Sequence, residues 1–145
     1  MTQSLYTRDI LRLAMQLGDD TELIAPDGRG EKRAPICGSH VAVAVKLSNG
    51  GRIGEISVAV NACAIGQASA AILKSRAPGL SRNELRIIRD GIAAFLSGDA
   101  PMPAAWPQLT ALEPAREYPA RHGAVLLPYD ALLTAIDDAT KIGSG

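Results

Sequence analysis

The sequence predicts an α+β domain: a small antiparallel sheet covered by helices. Three observations carry that prediction. Residues 41–60 alternate apolar with small or polar side chains on either side of Ser48-Asn49-Gly50-Gly51. Several other stretches repeat their apolar residues at helical spacing. With 145 residues, 47% of them hydrophobic, the chain is long enough for one core and too short for two. Aromatic residues are only 3%, so Ala, Leu, Ile and Val must fill that core.

The first element is an amphipathic helix, with Tyr6, Ile10, Leu13, Ala14 and Leu17 on one face and Gly18 as its stop. Residues 19–36, rich in Asp, Gly and Pro, read as loop with one short edge strand at Leu23-Ile24. Val41, Val43, Val45 and Leu47 then alternate, and Ile56, Val58 and Val60 alternate again after the glycines. Asn-Gly accepts the positive φ angles of a type I′ turn, so the pair reads as a β-hairpin. Ile53 is out of phase with Ile56, which places a bulge near Gly54. Residues 64–76 form an Ala-rich helix ended by Pro78-Gly79. Ser81 and Glu84 fit a capping box ahead of the stripe Leu85, Ile88, Ile92, Phe95 and Leu96, closed by Gly98. Residues 99–121, with five prolines, read as ordered loop with a short helix near Leu109 to Leu112. A last helix begins within 124–128 and carries Leu132, Ala135, Ile136 and Ala139. Residues 1–140 thus read as a single domain and 141–145 as a disordered tail.

Composition excludes several classes. Fifteen basic and fifteen acidic residues cancel, which argues against a broad surface for nucleic acid or anionic lipid. Arg8, Asp9 and Arg12 interrupt the first twenty residues and spoil a signal-peptide pattern. The apolar runs fall far short of the roughly 18 residues of a membrane span. A cytoplasmic location is expected, where thiols stay reduced. There is no P-loop, no dinucleotide-binding glycine pattern and no nucleophile elbow around Ser69 or Ser75. Arg82, Arg86 and Arg89 line one side of a helix, as a solvated face or a protein-docking one.

The soft donors are Cys37, His40, Cys63 and His122. Cys37 stands in the turn that leads into the first hairpin strand. Cys63 stands between the second strand and the Ala-rich helix, where free amides and the helix dipole favour a thiolate. A hairpin brings its outer ends together, so the two sulfurs are expected near one another. Burial as small hydrophobes remains the alternative for both cysteines. His40 opens a strand, as a partly exposed polar residue or a ligand. No short C-x-x-C pair supports a zinc ribbon.

These residues occur in a familiar order. Ala34-Pro35-Ile36-Cys37-Gly38 precedes the hairpin, and Cys63-Ala64-Ile65 opens a helix rich in Ala and Ser. Pro119-Ala120-Arg121 follows, and then Leu127-Pro128-Tyr129-Asp130-Ala131-Leu132 at the terminal helix. From about Leu5 to Ile136 the chain resembles the U-type iron–sulfur cluster assembly scaffolds: IscU, SufU and the N-terminal domain of NifU. It lacks the L-P-P-V-K segment of the IscU branch, and its long loop before Pro119 is more similar to the SufU and NifU side.

The resemblance implies a SufE/NifU-like fold and a non-enzymatic role. Such a scaffold or carrier holds a transient [2Fe–2S] cluster, or its iron or zinc, and passes it to apo-proteins after a cysteine desulfurase supplies sulfur. Cys37 and Cys63 fall on the first two family cysteines and are the expected cofactor ligands. The family's aspartate becomes Ser39, its third cysteine becomes Ala124, and Gly123 replaces the Lys or His before it. His122, two positions earlier, is the expected third metal ligand. Two thiolates from each of two chains would also satisfy iron, so monomer and homodimer both remain open. So do a module of the assembly machinery that binds no cluster, and a small zinc protein using Cys37, Cys63, His122 and His40.

Overall fold

The computed structural model describes residues 7–18, 22–35 and 38–143. Four α-helices and three strands follow in the order α1 (Arg8–Gln16), β1 (Gly28–Arg33), β2 (His40–Leu47), β3 (Ile53–Asn61), α2 (Ala64–Arg76), α3 (Arg82–Leu96) and α4 (His122–Gly143). The strands form one antiparallel sheet in the order β1-β2-β3. This is the α+β architecture expected from the sequence.

The hairpin shows its physics directly. Val41, Val43 and Val45 pair with Val60, Val58 and Ile56, so one face of both strands is apolar and turned to the core. Between Lys46↔Glu55 and Leu47↔Ile53 one residue, Gly54, is left over, and this is the expected bulge. The turn differs from the expected type I′. Left-handed φ falls on Gly50 and Gly51 (+82° and +77°), and Asn49 does not adopt it. Ser48 and Arg52 close the loop, Ser48 N–H donating to Arg52 C=O at 2.7 Å. With two glycines available, neither of which has a Cβ to clash, the asparagine need not take the strained conformation.

Three expectations are corrected. The edge strand lies at Gly28–Arg33 and not at Leu23-Ile24, and Ile24 is 84% exposed. Its core-facing positions are glycines because α4 presses onto the strand backbone. A β-carbon on Gly30 would lie 2.4 Å from Ala131 O, and one on Gly28 would lie 2.2 Å from Ala135 O. The proline-rich stretch is wound as 3₁₀ helix over Pro107–Glu117 and Pro119–Arg121, with Leu109 and Leu112 buried. The terminal helix begins at His122, ahead of the expected 124–128, because the 3₁₀ turn at Pro119–Arg121 feeds straight into it. Pro128 therefore sits inside α4 and offers no N–H to the Ala124 carbonyl.

The core lies between the sheet's apolar face and the helices. Ile10 of α1, Ile65, Ile72 and Leu73 of α2, Leu85 and Ile92 of α3, and Leu132 and Ile136 of α4 are all at most 1% exposed. The α3 cap is the expected capping box, with Ser81 Oγ accepting from Glu84 N–H and the Glu84 carboxylate accepting from Ser81 N–H, both at 3.1 Å. Tyr6, expected on the α1 face, lies outside the described residues.

Candidate functional site

Three chain segments meet at one end of the domain. The first is the turn between β1 and β2. Gly38 N–H donates to Ala34 C=O at 2.9 Å and Ala34 N–H donates to Ser39 C=O at 2.8 Å, so Ala34 is held against Gly38 and Ser39. The second is the start of α2. His40 pairs with Asn61 across the hairpin, which brings the end of the first turn beside the chain leading to Cys63. The third is the start of α4. A β-carbon on Gly123 would meet Ala34 Cβ at 3.5 Å, and one on Gly66 would meet Ala124 Cβ at 3.6 Å and Ala62 Cβ at 2.8 Å. The contacts thus form a closed circuit: the turn, the strand ends, the first turn of α2, the first residues of α4, and back to the turn.

Cys63 is the N-cap residue of α2, as expected. Its backbone is extended (φ −68°, ψ 173°), and its side chain makes no capping hydrogen bond. The thiol is free and partly exposed. Cys37 and its neighbour Ile36 lie outside the described residues, so the structure gives no sulfur–sulfur separation.

The remaining expected donors sit as follows. Ser39 is buried, with 3% of its surface exposed. Ala124 is 1% exposed and packs its methyl group toward Gly66 of α2, with no donor atom. His122 is the first residue of α4 and partly exposed, and its Nε2 donates to the Arg116 carbonyl at 3.0 Å. That bond fixes the ring toward the end of the 3₁₀ segment, where Arg116 lies over the Phe95 ring at 5.2 Å. His40, half-buried at the start of β2, turns its Nε2 toward Glu31, 3.9 Å away. Among the described residues no group of three or more His, Cys, Asp or Glu side chains is placed to hold a metal ion.

Sequence reasoning missed the link that holds the α2 and α4 starts together. Ser69, fully buried, donates its hydroxyl proton to the Val125 carbonyl at 2.6 Å. Tyr129 is also fully buried, and its hydroxyl faces Ser69 without completing a hydrogen bond. Burial raises its phenol well above the ordinary tyrosine range. Sequence signals for both existed: a serine on the apolar face of an Ala-rich helix, and a tyrosine inside an otherwise aliphatic stripe.

The fold and this meeting of three segments define the class, a U-type scaffold domain. No family model matches the chain, and no curated protein matches it in sequence. Solved structures do. The N-terminal part of a NifU-like protein from Brucella abortus is 31% identical, with a TM-score of 0.87, over 94% of this chain and 95% of that one. An assigned iron–sulfur cluster assembly scaffold for the SUF system of Fervidobacterium islandicum shares the fold at 19% identity and a TM-score of 0.80. The alignment covers 91% of this chain and 96% of that one. The chain belongs to the NifU-like N-terminal family. Among the described residues no helix is long and apolar enough to cross a membrane.

Proposed function

We propose that the chain is a scaffold or carrier in cytoplasmic iron–sulfur cluster assembly, with a transient [2Fe–2S] cluster as its cargo. The observation that carries this reading is the closed circuit of three segments around the start of α2, with the Cys63 thiol free and partly exposed at it. A thiolate there binds iron strongly yet stays open to an incoming thiolate, which suits holding and then release. Cys37, which directly precedes Gly38 in the sequence, is the second thiolate. A cysteine desulfurase supplies the sulfur and apo-proteins receive the cluster. The chain binds and transfers, and catalyses nothing itself.

The test is iron and acid-labile sulfide content of protein isolated without oxygen, compared with a Cys37→Ser, Cys63→Ser variant. Comparable iron and sulfide, lost in the variant, is the expected result. Zinc alone, retained through dialysis and lost in His122→Ala, would replace this reading with a zinc protein.

A second reading has its own observation. Ala124 contributes only a methyl group to the α2–α4 seam and His122 is tied to the Arg116 carbonyl. On this reading the chain keeps the fold, binds no cluster, and docks on the assembly machinery. No metal in either protein, together with recovery of a desulfurase in a pull-down, would favour it.

A further inference from the structure

We infer that the face of the sheet turned away from the core carries a cleft for a small zwitterion of the α-amino-acid class. The scaffold reading makes no use of this face. Val41, Val43 and Val45 point into the core, so Ala42 and Ala44 of β2 point away from it. Their cross-strand partners on β3, Ala59 and Ser57, point the same way. These four small side chains floor a cleft of about 130 Å³. Arg29 and Glu31 of β1 stand beside Ala44 and Ala42, and Glu22 and Leu23 from the segment before β1 line it as well. That segment is pinned to the hairpin: Asp27 N–H donates to Val45 C=O at 2.8 Å, and the Asp27 carboxylate accepts from Leu47 N–H at 2.7 Å.

Ser57 marks this cleft as more than a dent in the sheet. A side chain on the open face of a sheet is ordinarily exposed, yet Ser57 is only 6% exposed. Its hydroxyl makes no hydrogen bond among the described residues, and it lines the cleft. A buried hydroxyl without a partner is costly, and a ligand atom bonded to it removes that cost. The charges around the floor have both signs. Among the described residues neither Arg29 nor Glu22 is in an ion pair, and Glu31 only approaches His40, at 3.9 Å. A plain anion would meet two carboxylates here, and a plain cation would meet a guanidinium. A zwitterion satisfies both, with its carboxylate toward Arg29 and its ammonium toward the glutamates. The volume lies well below the roughly 300 Å³ at which pockets for drug-sized ligands begin, so the molecule is small. The methyl floor suits a short side chain such as that of alanine or serine.

The experiment is titration of the isotopically labelled full chain with L-alanine or L-serine, followed amide by amide in NMR spectra. Saturable shifts confined to the amides of residues 29–31, 42–44 and 57–59 are expected. Propionate and ethylamine, which keep one charge each, should not reproduce them. Arg29→Gln and Ser57→Ala should each weaken binding by about tenfold. Ala42→Leu, which fills the cleft from the open face, should abolish it. All three changes lie off the core face of the sheet, and the wild-type titration needs no variant at all. No saturable shift with either amino acid at tens of millimolar would overturn the inference, and so would shifts centred elsewhere. Equal shifts with propionate would also overturn it, by making the cleft a plain anion site. Iron and sulfide content does not enter this readout, so the scaffold reading stands or falls separately.

Discussion

Two single residues carry pH dependences of opposite sign. Glu84 titrates below the ordinary glutamate range because the Ser81 backbone N–H, then Arg52, bond its carboxylate. A carboxylate lowered in the folded state stabilises above its unfolded pKa of about 4.3, and that contribution is lost as pH falls through the folded value. Thermal unfolding followed between about pH 3 and pH 6 should fall less steeply for Glu84→Gln than for the wild type. Equal slopes would show that the capping carboxylate contributes nothing. Tyr129 works the other way. Its phenol is raised by burial, so its contribution is complete below the unfolded value of about 10 and is lost as pH rises past it. Its hydroxyl has no hydrogen-bond partner among the described residues. Tyr129→Phe should therefore be neutral or more stable by up to about 1 kcal/mol, and should resist alkaline unfolding better. A loss above about 2 kcal/mol would mean that the hydroxyl is bonded after all.

At the scale of elements, the seam between β1 and α4 is the point of least tolerance. Gly28 and Gly30 let the strand backbone touch the turns of α4 carrying Ala131, Ala135 and Ala139, and Arg29 N–H donates to the Asp138 carboxylate at 3.0 Å. A Gly30→Ala carbon would sit 2.4 Å from Ala131 O and 2.6 Å from Ala135 N, both backbone atoms of a rigid helix. Chemical denaturation should show a loss of about 3 kcal/mol, the upper end for overpacking. Gly123→Ala is the control: its added carbon meets only Ala34 Cβ at 3.5 Å, an ordinary contact. It should leave stability unchanged or raise it through helix propensity. If both variants behaved alike, β1 would not be clamped by α4.

On the scale of the whole molecule, positive and negative charge balance, and among the described residues the closest ion pairs join α3 to α4 and to the end of the hairpin. Arg82 and Arg89 reach across from α3 to Asp137 and Asp130 of α4 at 2.6 and 2.8 Å, and Arg86 pairs with Asp90 of its own helix at 3.7 Å. The arginine face read from the sequence as solvated or protein-docking is partly exposed and carries intramolecular ion pairs, each worth little at this exposure. Three segments far apart in the sequence, at residues 34–39, 63–66 and 122–124, meet at the Cys63 end of the domain. That convergence is why loss of a donor at position 124 bears on Cys63 at all.

The sequence by itself determined the hairpin, its Gly54 bulge, the bounds of α2, the α3 capping box and the place of Cys63 at a helix start. All of these follow from local periodicity, glycine and capping chemistry within a few residues. It also carried the family, through short motifs spread along nearly the whole chain. Only the tertiary structure decided that Gly-Arg-Gly-Glu-Lys-Arg is a strand, because its core face is defined by the α4 backbone and not by its own side chains. The same holds for His122, whose ring is fixed by a carbonyl six residues back, and for Ala124, whose neighbour across the seam is Gly66. Local patterns write elements. Which groups face one another at a site depends on contacts between distant segments, and those exist only once the core has closed.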